Sequence, residues 1–376
     1  MNHELVNDES VRDTDGVLSL RKLLHLMVEK EGTDLHIKVG SPPGVRIHGQ
    51  IHPIGRIRLV PKDAERLVKE ILTDDQFERF EESGDLDIAY SVGGVSRYRV
   101  NVLRQRGSMG LAIRRIPESV PTLDELKLSP ACKALAQKTR GLVLVTGPTG
   151  CGKSTTLAAM VDYINSTRSC HIVTMEDPIE YVHTDRLSYV TQREIGRDTR
   201  DFQTALHRAL RQDPDVIMIG ELRDLETIAL AVTAAETGHL VFATLHTSSA
   251  VQTIARIIDV FPHEAQQQIR IQLADTLEGV LCQSMLPKNG GGCVIAQEVL
   301  IAVGPVRALI REAKTQQIQN IMQTGSQFGM RTLESELNDL LAADVISLNT
   351  ALTKANHPRL ISTPRTRTDR AVVRSR

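Results

Sequence analysis

The sequence predicts an α/β fold in two parts: a small α+β domain over residues 18–116, then a larger domain over 140–357 with a mainly parallel sheet. Three observations predict it. Between Thr33 and Ile116, polar and apolar residues alternate in runs broken by Gly and Pro, the pattern of short antiparallel strands. Beyond residue 140, short apolar β-branched runs alternate with helical stretches, an order that builds a parallel sheet with helices on both faces. Between one such run and a helix stands "GPTGCGKST", Gly147 to Thr155, a glycine-rich turn spaced as a phosphate cradle.

Each element has its own signal. "LSLRKLLHLMVEK" (Leu18 to Lys30) carries apolar residues at helical spacing, and "TDLHIKVGSPPGVRIHGQIHPI" (Thr33 to Ile54) reads as strands. "PKDAERLVKEILTDDQFERFEESG" (Pro61 to Gly84) returns to helix, and the run Asp85 to Ile116 returns to strands with turns at Gly93-Gly94 and Gly107. Residues 117–139, opening with two prolines within five residues, read as a linker and the first helix of the larger domain. There "RGLVLVT", "HIVTMED", "LSYVTQ", "DVIMIGE" and "HLVFATLHT" are expected strands, with "RDFQTALHRALRQ" and "LETIALAVTAAETG" as helices between them. From Ser249 onward the chain reads mostly as helix, with one strand at "CVIAQEVLI" (Cys293 to Ile301). Residues 1–17, acidic and polar, and 358–376, rich in arginine, are expected to be disordered tails.

Bulk composition narrows the function classes. With 45 basic and 46 acidic residues among 376, there is no net charge to draw the chain onto nucleic acid or an anionic bilayer. The five cysteines form no C-x-x-C pair, so neither a zinc module of that kind nor a disulfide framework is expected. No run approaches eighteen apolar residues, and the N-terminus lacks a basic region followed by an apolar one, so neither membrane insertion nor a signal peptide is expected. The expected location is cytoplasmic.

Gly147, Pro148, Thr149, Gly150, Cys151, Gly152, Lys153, Ser154 and Thr155 fit Gly-x-x-x-x-Gly-Lys-Ser followed by Thr, in which backbone N–H groups curl around phosphate oxygens at a helix N-terminus. At ordinary residue frequencies a chain of this length matches the pattern by chance about once in a hundred. Phosphoryl transfer also needs an oriented water and compensating charge. "LRQDPDVIMIGELRD" (Leu210 to Asp224) supplies a strand whose tip is Gly220-Glu221, making Glu221 the candidate to orient or deprotonate water, with a reach toward magnesium. Glu176, Asp177 and Glu180 cluster after another strand, and His246 ends a third between Thr244 and Thr247; His239, before that strand, is a weaker candidate. Arg208, Arg211 and Arg223 lie close in sequence to Glu221, while Arg97, Arg99, Arg114 and Arg115 lie on strands of the first domain.

Together these motifs resemble the secretion ATPase superfamily and, within it, the PilT-type retraction motors of type IV pili. Leu210 to Asp224 follows that superfamily's Leu-Arg-x-x-Pro-Asp, aliphatic stretch, Gly-Glu-x-Arg-Asp signature. "GPTGCGKSTTLAAM" is similar to its Walker A motif, "MEDPIEYVH" to its acidic box, "DVIMIGE" to Walker B and "TAAETGHLVFATLHT" to its histidine box. The likeness runs from about Leu18 to Val345. It implies a PAS-like N-terminal domain before a RecA-like motor domain, ATP with Mg2+ as the cofactors, and a homo-oligomeric, usually hexameric, ring. The partners it implies are an inner-membrane pilus platform protein and a paralogous retraction ATPase, with the ring at the inner-membrane face of the pilus machine and no direct contact with nucleic acid.

By the same likeness, Lys153 and Ser154 serve phosphate and magnesium, and Glu221 is the catalytic glutamate. Glu176 and Glu180 belong to the acidic box and His246 to the histidine box. Arg208, Arg211, Arg99 and Arg115 are the arginines expected at nucleotide, Arg223 joins the catalytic set, and Ser154, Glu221 and Glu176 are the candidate magnesium ligands. One departure stands out. Retraction motors commonly carry Ala-Ile-Arg-Asn-Leu near the C-terminus, where this chain has "GPVRALIRE" (Gly304 to Glu312), keeping Arg307 and Leu309 but placing Ala308 at the asparagine position. Pilus-assembly and type II secretion motors, typically longer at the N-terminus with a four-cysteine module, a PilU-type accessory motor, and a nucleotide-dependent ring scaffold that turns over little are the alternatives.

Overall fold

The computed structural model describes Val11 and residues 17–47, 49–117 and 119–362. The chain divides into two compact units at Ser119/Val120, with Pro178–Tyr181 grouped with the first.

The first unit runs α1 (Leu20–Glu29), β1 (Asp34–Lys38), β2 (Gly44–Ile47), β3 (Gln50–Pro53), α2 (Pro61–Ile71), α3 (Asp74–Ser83), β4 (Asp85–Val92), β5 (Ser96–Gln105) and β6 (Ser108–Ile116). Its strands form one antiparallel sheet in the order β3-β2-β1-β6-β5-β4. On β5, Tyr98, Val100 and Val102 are buried while Arg99 is exposed and Arg97 and Asn101 half-buried, so the two arginines share the outward face. The helical run expected from Pro61 to Gly84 is two helices. Thr73 breaks it: its hydroxyl accepts from Gln76 N–H while the Gln76 side chain reaches back to Thr73 N–H, a capping box that starts a new helix. Val11, expected in a disordered tail, is buried in this unit's core, and its carbonyl accepts from Ser19 N–H at 2.9 Å.

The second unit contains α4 (Ala131–Ala136), β7 (Gly141–Thr146), α5 (Lys153–Thr167), β8 (His171–Glu176), β9 (Tyr189–Glu194), α6 (Phe202–Ala209), β10 (Val216–Ile219), α7 (Leu225–Glu236), β11 (Leu240–Leu245), α8 (Ala250–Asp259) and α9 (His263–Thr276). It continues with β12 (Leu277–Pro287), β13 (Cys293–Ile301), α10 (Gly304–Arg311), α11 (Ile318–Thr324), α12 (Leu333–Ala342) and α13 (Leu348–Lys354). The sheet order is β13-β12-β7-β11-β10-β8-β9, parallel except for the edge strand β13. β7 explains why its sequence is apolar throughout. Leu142 and Leu144 pack on one face with α6 to α11, while Val143 and Val145 pack on the other with α4 and α5.

Two expectations are corrected here. β12 was expected as helix: "LEGVLCQSMLP" follows α9 with no turn signal, and it becomes strand because it fills the place between β7 and β13. Residues 358–361 were assigned to the basic tail, yet Ile361 is buried in a small C-terminal cluster with Leu337, Leu341 and Ile346. Residues 1–10, 12–16 and 363–376 of the expected tails lie outside the described residues.

Candidate nucleotide site

Parallel pairing aligns the carboxyl ends of β7, β11, β10 and β8 along one edge of the sheet: Thr146 pairs with Leu245, and Ile219 with both Ala243 and Met175. Such an edge is where ligands bind in open α/β sheets. The functional side chains follow directly from these strand ends.

After β7 the chain turns through Gly147 to Gly152 into α5. Gly147 has φ 139°, and a Cβ there would stand 2.3 Å from Gln283 O and 2.7 Å from Cys151 Sγ, so only glycine fits. Gly150 and Gly152 also have positive φ, at 79° and 93°. Lys153 Nζ donates to Gly147 O at 2.8 Å and Pro148 O at 3.2 Å, which places the ammonium within the turn. Ser154 is exposed in the first turn of α5, and Thr155 beside it is half-buried. Cys151 is buried, and that burial raises its thiol above the ordinary range.

Glu221 lies just beyond β10. Gly220, at the position where many such strands end in aspartate, has β8 pressed behind it. A Cβ there would be 3.2 Å from Met175 O and 3.4 Å from Glu176 Cα, so the backing strand favours the smallest residue. Thr244 Oγ donates to Gly220 O and Leu222 N–H donates to Thr244 O, fixing the peptide on either side of Glu221. Its carboxylate is held by both oxygens. Oε1 is 3.1 Å from His246 Nε2, and Oε2 accepts from Arg223 Nε and Nη2, each at 2.8 Å. Arg223 Nη1 is 3.9 Å from Asp177 Oδ2. β11 separates β7 from β10, so Glu221 stands two strand spacings, about 10 Å, from the end of β7, with His246 between.

Not every expected residue joins this group. Arg208 and Arg211, expected at nucleotide, lie close to Glu221 in sequence but not in space. α6 runs antiparallel to β10, so Phe202 lies beside Gly220 while the helix ends near the strand's other end, where His171 Nδ1 bonds Gln212 O at 2.9 Å. Arg208 and Arg211 are exposed there, away from Glu221 of the same chain. Arg99 and Arg115 were both expected at nucleotide. β5–β6 register pairs Arg99 with Arg114 but Arg115 with Tyr98, so the two project from opposite faces of the sheet. Arg99 Nε is 3.9 Å from Asp87 Oδ1.

Glu176 was a candidate magnesium ligand. It is buried, and its Oε1 accepts from Thr174 Oγ at 2.7 Å and Gln192 Nε2 at 3.1 Å, which makes it a fixed internal carboxylate. Glu180 falls in the segment grouped with the first unit and is exposed. His239 accepts a structural role: its Nδ1 lies 2.9 Å from Ala234 O at the end of α7. Among the described residues no three carboxylate, His or Cys side chains gather as a metal site.

A family model described as "Type II/IV secretion system protein" matches residues 46–368. The chain belongs to the Type II/IV secretion system protein family. Members similar to it include the Pseudomonas aeruginosa "Type IV pilus retractation ATPase PilT", 47% identical over 91% of this chain and 99% of that protein. The Pseudomonas aeruginosa "Type IV pilus ATPase PilU" is 41% identical over 90% of this chain and 89% of that protein. The crystal structure of the pilus retraction motor PilT with bound ADP superposes with a TM-score of 0.85, at 45% identity, covering 91% of this chain and 98% of that one. The fold is accordingly that of the family's ATPases, an N-terminal domain followed by a RecA-like ATPase domain.

Gln192, Thr174, Thr146, Thr253 and Cys282, which sequence spacing did not flag, lie around these groups. Gln192 and Thr174 hold Glu176. Thr146, Thr253 and Cys282 form a buried polar cluster beneath the turn. Arg307, kept from the C-terminal motif, is committed inward: it donates to Ala302 O, Ala274 O and Asp275 O at 2.7–2.8 Å and pairs with Glu278 at 2.8 Å, stapling α10 to the end of α9. Isolated hydroxyls, an amide and a thiol on strands and helices carry no periodic signal.

Proposed function

We propose that this chain is a P-loop ATPase motor that drives type IV pilus retraction, hydrolysing ATP to ADP and phosphate with magnesium. The observation that carries the reading is the seating of Glu221 between His246 and Arg223 on the sheet edge that also carries the Gly147–Ser154 turn. Similarity to the PilT ATPase along nearly the whole length of both chains supports the retraction assignment.

The chemistry follows from the side chains. Backbone N–H groups of 149–153 and the Lys153 ammonium take the β- and γ-phosphate oxygens, the ammonium exchanging Gly147 O and Pro148 O for phosphate. Glu221 orients water at the γ-phosphate and accepts its proton once Oε1 or Oε2 is released from His246 or Arg223. His246 hydrogen-bonds the γ-phosphate when it leaves Glu221, so the carboxylate is freed when triphosphate is present. Arg223, no longer neutralised, places positive charge by the transferring group. Magnesium, when bound at Ser154 and the phosphates, supplies neutralisation of the developing charge. Arg208, Arg211 and the first-unit arginines Arg99 and Arg115 are proposed to serve a neighbouring subunit's nucleotide in a hexameric ring. The ring is proposed to act in the cytoplasm against an inner-membrane platform protein.

Deleting the gene and scoring surface pili and twitching tests the assignment: hyperpiliated, immobile cells are expected, and bald cells would assign assembly instead. A PilU-type accessory motor is the second reading, supported by the 41% identity to that protein and by Ala308 at the motif's asparagine position. Expressing this chain as the sole retraction ATPase separates the two, because an accessory motor leaves pili unretracted.

A further inference from the structure

We propose that Thr253, in the first turn of α8, is a positioning residue that holds His246 in register with the phosphate-binding turn. The inference rests on the hydrolytic reading above and adds a residue to it.

His246 lies on a four-residue turn, 246–249, between β11 and α8. Thr253 is fully buried, and its hydroxyl meets three groups. It donates to Ser249 O at 2.8 Å, pairs with the Thr247 hydroxyl at 2.7 Å, and lies 3.5 Å from Thr146 Oγ. Thr247 is the residue after His246, and Thr146 is the residue before Gly147. One hydroxyl therefore touches both sides of the site from beneath. Thr146 Oγ in turn donates to Cys282 Sγ at 2.9 Å, on β12, so the buried group is anchored in the sheet. From the other side, Ala250 N–H at the start of α8 donates to Glu298 Oε1 of β13 at 2.7 Å, and Glu298 is only 1% exposed.

A Thr in the first turn of a helix that merely bonds its own i−4 carbonyl has a local role. Thr253 does that and also accepts from the Thr247 hydroxyl at 2.7 Å, which holds the turn carrying His246 against α8, with Thr146 Oγ in contact at 3.5 Å. Without the hydroxyl pair, the Thr247 peptide and the imidazole before it lose their lateral restraint, while the phosphate cradle keeps every contact described above. The expected consequence falls on turnover, since a small misplacement of a catalytic group costs rate while ground-state binding stays.

The test compares Thr253→Val, nearly isosteric but without the hydroxyl, with Thr253→Ser, which retains it, in the full chain. Steady-state ATP turnover is measured beside binding of ADP by calorimetry. Thr253→Val is expected to lower kcat about ten-fold with KM and ADP affinity within about two-fold, and Thr253→Ser to restore kcat. Should Thr253→Val fail to fold, Thr247→Val removes the other, half-buried member of the pair and carries the same expectation. Unchanged kcat in the folded valine variant, or a parallel loss of kcat and ADP affinity that serine does not rescue, overturns the proposal. Glu221→Gln is assayed in parallel. If it remains active, the hydrolytic reading fails; if it is inactive while Thr253→Val is unaffected, only the positioning role fails.

Discussion

His246 Nε2 stands 3.1 Å from Glu221 Oε1, joining the ends of β11 and β10, and Arg223 takes the other carboxylate oxygen. With both oxygens engaged, the carboxylate has one orientation. Truncation to His246→Ala leaves Oε1 to water and removes the donor proposed for the γ-phosphate. We expect kcat to fall by roughly ten- to a hundred-fold with ATP affinity little changed, measured by phosphate release and equilibrium binding.

Gly147→Ala tests the cradle. The new methyl would collide with Gln283 O at 2.3 Å and with the Cys151 sulfur, and the backbone at φ 139° disfavours any side chain. Gly150→Ala meets open space, so it pays only left-handed strain of about 1–2 kcal/mol. Gly147→Ala is expected to lower Tm further than Gly150→Ala and to weaken ADP binding more than about ten-fold, checked by thermal unfolding and calorimetry.

Arg307 offers a test of fork geometry. Its Nε and two terminal nitrogens serve three carbonyls and Glu278 together, which a single ammonium cannot do. Arg307→Ala is expected to destabilise the second unit by about 2–4 kcal/mol, and Arg307→Lys to recover less than half of that in denaturant unfolding.

Glu298 should make stability depend on pH. Burial pushes its carboxyl above the ordinary carboxylate range; the Ala250 N–H opposes that, Glu334 adds to it, the Leu333 N–H opposes it, and His357 opposes it weakly. In the folded state it therefore holds a proton that the unfolded chain has released. Stability is lost as pH rises from the ordinary carboxylate value through the raised folded value. Glu298→Gln keeps an acceptor for Ala250 and removes the titration, so its stability relative to the parent chain should increase with pH across that window in parallel unfolding curves.

Much of this was legible in the sequence because it depends on period and spacing. β7 and the Gly147–Thr155 turn were unambiguous: an apolar run, glycines and Lys153 leave few conformations. Glu221 and His246 were found for the same reason, as polar residues at the ends of apolar strands. Nearness along the chain did not locate the arginines. Arg208 and Arg211 lie about one strand length from Glu221, because an antiparallel helix carries them back down the sheet. Arg99 and Arg115 diverge because pairing register, which spacing cannot give, sends them to opposite faces. β12 was invisible, since its strand character comes from the neighbours it completes rather than from alternation.

The most direct test of the account is multiple-turnover ATP hydrolysis by Glu221→Gln in the full chain, with magnesium and with nucleotide binding measured on the same preparation. The account predicts at least a hundred-fold loss of phosphate release, on the order expected for a general base, with ATP affinity retained. Turnover close to that of the unaltered chain, with binding intact, would contradict it.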